Sequence, residues 1–238
     1  MTNNWETKIS SSGEDSVVRG LEREEVMDMN FANAIWLVLK GETPSEEESE
    51  IFNTILSSSI DHGVGNPSTV SARTVQSGGN DMNTSVAGGI LALGDKHGGA
   101  IEDCMEMLQL GKDAEEIVSE KLSNGDVIPG LGHKVYDDED PRAQKIFDKA
   151  EELGIAGEHT ERMKNVAEAF AEEKVPLVIN VDGAISAVMS DLGWPSELGK
   201  GFFIIARTPG LVAHVHEEMS EEDFRREDGE YVGDRSGD

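Results

Sequence analysis

Three glycine-rich stretches each present a histidine or an aspartate: Asp95-Lys96-His97-Gly98-Gly99-Ala100, Pro129-Gly130-Leu131-Gly132-His133-Lys134-Val135-Tyr136 and Asn180-Val181-Asp182-Gly183. A fourth, Asp61-His62-Gly63, stands ahead of Asn66-Pro67-Ser68-Thr69. Imidazoles and carboxylates are the groups that pass protons in general acid–base chemistry. Flanking glycines let backbone and ligand approach closely, and loops carry function more often than core positions do. Taken singly, each of these histidines reads as structural. Arg142 and Arg207 add planar guanidinium forks of the kind that pair bidentately with carboxylates. Cys104 is the lone cysteine, so no internal disulfide and no CxxC-type metal or redox site is available. It reads as a small buried hydrophobe. His159, His214 and His216 read as packing or surface residues.

The elements that must position these loops are helices broken by glycine. The apolar spacing predicts a helix over Glu24–Leu39 ended by Gly41, and another opened by Ser45 and Glu48 as a capping pair and running to about Ser59. Further helices are expected over Pro67–Ser77, Asn83–Leu93, Ala100–Leu110, Lys112–Leu122, Pro141–Leu153, Glu161–Glu173, Asp182–Leu192 and Gly201–Met219. Ala87, Gly88, Gly89 and Ala92 suit close helix–helix approach. Val- and Ile-rich patches are too short for a sheet, apart from a small hairpin near Lys8–Arg19. The expected fold class is all-α, with a core built mainly from aliphatic side chains because aromatics make up 5% of the chain.

The 48 acidic and 20 basic residues give a formal net charge of −28. Such a field repels nucleic acid and anionic membranes, so neither is an expected partner. It also strains the compact state until salt screens it, with a screening length of roughly 3 Å at about 1 M. The balance points to a high-salt cytoplasm; a merely acidic protein with a loose tail is the other reading. Acidic runs such as Glu46–Glu50, Glu115–Glu120 and Glu217–Asp223 read as solvated helix faces rather than metal sites. No stretch reaches the roughly 20 apolar residues that span a bilayer, and the polar start lacks a signal-peptide pattern.

The order and wording of the loops resemble the citrate synthase superfamily. The resemblance runs from His-Gly-Gly-Ala at His97, through Gly-x-Gly-His-x-Val-Tyr at Gly130 and Asp140-Pro141-Arg142-Ala143, to Asn-Val-Asp at Asn180. Ile204-Ile205-Ala206-Arg207-Thr208 with Gly210 and Ala213-His214 continues it, and Val18-Arg19-Gly20 with Trp36–Pro44 fits the beginning. It covers about Arg19 to Met219. A large helical lobe (1–101 and 195–238) and a smaller one (102–194) would follow.

By motif, the resemblance makes Asp182 the base at the acetyl carbon and His97 the donor to the thioester oxygen. His133 would face the oxaloacetate carbonyl, and His62 would be an additional ligand to that substrate. Arg142, Arg207 and Arg226 would hold its carboxylates, Arg226 (or Arg225) reaching a partner subunit's site in a homodimer. CoA would lie along Ile128, Pro129, Gly130, Leu131, Gly132 and His133, with no cofactor or metal beyond the CoA thioester itself. The chemistry needs such a set, because an enol forms only if a carboxylate takes the proton while donors steady the developing oxyanion. Plainer roles stay open: Asp182 as an N-cap, Arg142 as a surface ion pair.

The sequence departs from ordinary citrate synthases in its shorter length and in Gly183-Ala184, which stand where those enzymes carry a bulky aromatic pair. Together with Ile60-Asp61-His62-Gly63 and Pro67-Ser68, this resembles the citryl-CoA lyase branch, including the lyase module of ATP-citrate lyase. The expected reaction is therefore cleavage of citryl-CoA to acetyl-CoA and oxaloacetate. Condensation by a compact synthase, or a non-catalytic CoA-binding subunit, are the alternatives.

Overall fold

The structure is a computed structural model and describes residues 5–95, 97–225, 230 and 232. It is all-α apart from one minimal antiparallel pair, β1 (Val17–Val18) with β2 (Leu21–Glu22), in which Val18 faces Leu21. The hairpin expected near Lys8–Arg19 is present upstream of this pair: Ser11 donates to the Val17 carbonyl at 2.9 Å, Arg19 to the Ile9 carbonyl at 2.7 Å, and Ser10 bridges Val18. The turn between β1 and β2 runs through Arg19 at φ 51° and Gly20 at φ 87°. The Arg19 side chain donates to the Val38 carbonyl at 2.8 Å, which offsets part of the cost of its left-handed backbone.

The helix expected over Glu24–Leu39 is two: α1 (Arg23–Met27) and α2 (Phe31–Lys40). Asn30 explains the break. It adopts an extended backbone and its side chain accepts from the Asn33 amide, so the helix restarts there rather than continuing. Gly41 ends α2 at φ 90°. α3 (Glu46–Ser58) opens with the reciprocal capping box of Ser45 and Glu48 that the sequence predicts. There follow α4 (Pro67–Ser77), α5 (Met82–Leu91), α6 (Ala100–Gln109), α7 (Ala114–Asn124), α8 (Pro141–Glu152), α9 (Glu158–Glu173) and α10 (Val181–Asp191). A short 3-10 turn, Ser196–Leu198, leads into α11 (Gly199–Glu218).

Contacts divide the chain into two compact units: the chain up to Ile60 with Gly98–Ala206, and Asp61–His97 with the chain from Arg207 on. In the first, the scarce aromatics are concentrated. Trp36, Phe52, Trp194 and Phe202 are all buried and pack mostly edge to face, Trp36 lying 4.9 Å from Trp194 and 5.3 Å from Phe52. Apart from Phe147 and Phe203, the rest of this core is built from aliphatic side chains with Met and Cys104, in keeping with the expectation of a mainly aliphatic core.

α10 is the central helix of this unit, packed on α6, α8 and α9, with Val181 and every residue from Gly183 to Ser190 buried. Being apolar nearly all round, it has no solvated face to let it slide. Its C-terminal end is pinned by Asp191, which does for α9 what Gly157 cannot do at the N-cap. The Asp191 carboxylate accepts from the amides of Gly157, His159 and Thr160 at 2.8–3.0 Å and from the Thr160 hydroxyl at 2.7 Å.

In the second unit α4 lies against α5, with Ala72, Leu211 and Val215 at the centre. The close approach expected of the small residues is seen here: a Cβ on Gly88 would stand 2.9 Å from Val75, and one on Gly89 3.0 Å from Ala72. The Glu218 carboxylate is buried and accepts from Arg73 Nε at 2.6 Å and from Arg225 Nε and Nη2 at 2.6 and 2.7 Å. Glu218 and Asp140 are buried carboxylates held by arginine, and the Asp191 carboxylate is buried as well. The other described acids, the helix-face runs included, reach solvent.

Candidate active site

The loop from Ile128 to His133 is laced to the segment that precedes α10. Gly132 donates to the Val178 carbonyl at 2.7 Å, Asn180 to the Gly130 carbonyl at 2.9 Å, and Leu131 bridges Ile179. Asn180 both caps α10, accepting from the Gly183 amide at 3.1 Å, and ties back to the Gly132 carbonyl through its side-chain amide at 2.8 Å. Gly130 and Gly132 take φ values of 88° and 86°, a region L side chains rarely adopt. The loop comes so near the helix that a Cβ on Gly183 would lie 2.6 Å from the Gly130 carbonyl oxygen, and one on Gly130 2.8 Å from the Gly183 Cα. One ladder of backbone bonds therefore positions His133 and Asp182 together. Asp182, half-buried, occupies the first turn of α10, where the helix dipole favours a carboxylate. It lies beside the N-cap but is not itself the cap; Asn180 is.

Donor groups face both nitrogens of the His133 ring. The amides of Val135 and Tyr136 point at Nδ1 from 3.1 and 3.2 Å, and Arg142 Nη2 stands 3.1 Å from Nε2. Tyr136 stacks on the His133 ring at 4.6 Å. Arg142 is clasped by Asp140, Nε to Oδ1 at 3.0 Å and Nη2 to Oδ2 at 2.8 Å. Burial pushes the Asp140 carboxyl up, but the hydrogen bonds and charge of Arg142, with the Val181 amide, outweigh it and hold the group below its ordinary value. The sequence reading saw this aspartate only as a word in Asp-Pro-Arg. An Asx directly before Pro-x at a helix start was the signal that it caps something.

The second unit carries His62, His97, His214 and His216. His97 sits in a tight turn whose Gly94 and His97 amides exchange hydrogen bonds, and its Nε2 lies 2.9 Å from Ser68 Oγ. Ser68 is fully buried and also donates to Asn66 Oδ1 at 2.7 Å, the cap of α4, so His97 is aimed by the start of that helix. His62 is exposed on the loop after Asp61. Asp61 accepts from the Gly63 amide at 2.9 Å and lies 3.0 Å from His214 Nε2. Burial raises the Asp61 carboxyl, yet that amide and His214 together bring it below its usual value. His214 is thus more than packing: it joins the His62 loop to Arg73, 3.5 Å from its other nitrogen. Arg207 is buried on α11, one residue ahead of the pair Thr208-Pro209 inside that helix.

Arg225 turns onto Glu218 of its own chain, and Arg226 lies outside the described residues. Cys104 is buried beside Gly130 and Met163, and burial, only partly offset by Ser186, pushes its thiol up to about 12. That leaves it protonated and inert. A cavity of about 440 Å³ opens beside Pro129, lined by Asp103, Glu106, Glu120 and Asp126 as well as Lys112 and Lys121. With Lys112 already paired to Glu120 and the lining rich in carboxylates, it suits phosphates poorly. No group of three or more potential metal ligands occurs among the described residues.

Residues 11–227 match the family described as citrate synthase, C-terminal domain. A citrate synthase of Haloferax volcanii is 33% identical over 214 residues, covering 87% of this chain but 56% of that protein. The chain thus spans little more than half the length of that relative. Among solved structures, citryl-CoA lyase from Hydrogenobacter thermophilus is 44% identical with a TM-score of 0.92, covering 98% of this chain and 96% of that one. Citrate synthase from Thermotoga maritima is 27% identical with a TM-score of 0.76, covering 89% and 60%.

Proposed function

The chain belongs to the citrate synthase family, and on that premise we propose that it is a citryl-CoA lyase, cleaving citryl-CoA to acetyl-CoA and oxaloacetate. The observation that carries this reading is the end-to-end match, in length and in fold, to a citryl-CoA lyase. The Gly183–Gly130 contact supports it, since that spacing leaves no room for the bulky pair of ordinary synthases. The synthase names of the sequence relatives favour condensation as the second reading.

In the cleavage direction His133 takes the proton of the tertiary hydroxyl. The bond to the acetyl unit breaks, oxaloacetate leaves as its ketone, and Asp182, entering this direction as the carboxylic acid, gives its proton to the enol carbon and ends as the carboxylate, the reverse of its role as base in condensation. His97 donates to the thioester oxygen, where negative charge collects. Arg142 and Arg207 hold substrate carboxylates, with His62 as a further ligand and Arg226 contributed across a homodimer. The glycine amides of Ile128–Gly132 receive CoA. Closure of the 102–194 lobe over the substrates keeps water from the enol. The reaction asks for acid–base groups and charge stabilisation alone, because the thioester already acidifies the acetyl carbon.

No helix among the described residues is long and apolar enough to cross a membrane. The net charge of −28 supports a site of action in a high-salt cytoplasm. Asp182→Asn tests the enzymatic reading. Removal of the base cuts turnover by about 10²–10⁴-fold while CoA binding persists. Unchanged turnover would remove Asp182 from the mechanism.

A further inference from the structure

We propose that Asp140 is the positioning residue of this site: a single buried carboxylate that fixes the Arg142 guanidinium beside His133 and, at the same time, the backbone from which Asp182 projects. The proposal rests on the lyase reading above and extends it to a residue that touches no substrate.

The geometry goes beyond helix capping. An N-cap needs one oxygen on one amide of the first turn, and Asp140 Oδ1 meets that need at the Arg142 amide, 3.0 Å away. Three further donors converge on the same carboxylate. Arg142 Nε reaches Oδ1 at 3.0 Å, Arg142 Nη2 reaches Oδ2 at 2.8 Å, and the Val181 amide reaches Oδ2 at 3.0 Å. These four donors fill the roughly four lone-pair sites of a carboxylate. Asp140 is 1% exposed, so water cannot substitute for any of them.

The Val181 bond is the decisive one. Val181 is the first residue of α10, and its amide is one of the helix's unsatisfied donors. Asn180 satisfies the amide of Gly183, and Asp140, from α8's N-cap, satisfies that of Val181. Asp182 stands between these two fixed points. The side-on pair with Arg142 occupies Nε and one Nη2 proton, and Nη2 also faces His133 Nε2, which leaves Nη1 to bind substrate. It also neutralises a cation at the start of α8, where the helix dipole disfavours one. The two anchors therefore share a hub, and a shift at Asp140 displaces the carboxylate clamp and the base together.

The test compares four proteins as purified full chains in molar KCl: wild type, Asp140→Asn, Arg142→Lys and Ser45→Ala. In Asp140→Asn one oxygen becomes an NH2, so a donor must face Arg142 or Val181, while the α8 cap survives. Both parameters should then move, kcat for citryl-CoA cleavage falling about 100-fold and KM rising about tenfold. Arg142→Lys keeps the Val181 bond, so it should raise KM about tenfold while lowering kcat far less than Asp140→Asn does. Ser45→Ala, a cap removed from α3, should lower the melting temperature and leave kcat and KM as in wild type. If Asp140→Asn does not fold, Asp140→Ser, which keeps a cap oxygen, replaces it with the same expectation. An Asp140 variant that is folded, with kcat within about twofold of wild type, overturns the link to α10; one whose KM is unmoved overturns the link to Arg142. A wild type inactive on citryl-CoA in both directions sinks the lyase reading instead, and this proposal with it.

Discussion

Two buried carboxylates, one in each unit, are held by arginine and yet serve different ends. Glu218 gathers Arg73 and Arg225, joining the last turn of α11 to α4 and to the chain beyond Ser220. All its donors are side chains, and one of them, Arg225, is among the two arginines the family resemblance offers to a partner's site but is taken up here by Glu218 of its own chain. Asp140 splits its bonds between the Arg142 side chain and two backbone amides, one of them at the start of the helix that bears Asp182. The first arrangement fastens elements; the second fixes atoms. The same chemical pair becomes functional when its donors include backbone that aims a reacting group.

That contrast can be broken. Glu218→Ala leaves Arg73 buried against a lost partner and should cost about 3–5 kcal/mol of unfolding free energy. Turnover per folded molecule should stay close to wild type; a matching loss of turnover would put the Glu218 network inside the site. Gly183→Ala forces a methyl to within 2.6 Å of the Gly130 carbonyl. Overpacking of this kind costs about 1–3 kcal/mol, and here it should show chiefly as lost turnover, since the loop and α10 must separate. Full activity in Gly183→Ala would mean that the close approach positions nothing.

Acid sharpens the same comparison. Arg225, against the opposing effect of burial and with help from Arg73, holds Glu218 below its ordinary value, and Asp140 is likewise depressed. Each carboxyl therefore binds its proton more readily in the unfolded chain. Its contribution is full above the unfolded carboxylate range near pH 4 and is lost as pH falls through the lower folded value. Urea midpoints between about pH 5 and pH 3 should fall less steeply for Asp140→Asn and for Glu218→Gln than for wild type. An unaltered slope in both would show that neither carboxylate is held as described. Ser45→Ala is smaller still, about 1 kcal/mol, read as a lower melting temperature without kinetic change. At the bottom of the scale, Cys104 should not react with a thiol reagent until the protein unfolds; prompt labelling of the native chain would contradict its burial.

The helices were largely legible in the sequence because glycine, proline and cap residues punctuate them. The span Pro67–Ser77 matches α4 at both ends, framed by Asn66 and Gly78. The break at Asn30 was missed because the apolar residues on both sides suit one continuous helix, and only the extended backbone of Asn30 divides them. Loop residues such as His97, His133 and Asp182 stood out through their glycine surroundings. What the sequence could not display was convergence. Asp140 lies 41 positions from Val181 and Asp61 lies 153 from His214, so those pairings exist only once the helices have packed. The Gly183–Gly130 approach is of the same kind. Gly183-Ala184 read as a branch marker, whereas the structure makes Gly183 a steric necessity.

The reaction itself is tested most directly by a paired assay of the wild-type protein in molar KCl. One sample receives citryl-CoA with malate dehydrogenase and NADH, so that released oxaloacetate consumes NADH. The other receives acetyl-CoA and oxaloacetate with a thiol reagent, to which the buried Cys104 contributes no background. A citryl-CoA lyase gives rapid NADH loss and little free CoA. Strong release of free CoA in the second sample, with slow cleavage in the first, would contradict the account and make the protein a compact citrate synthase.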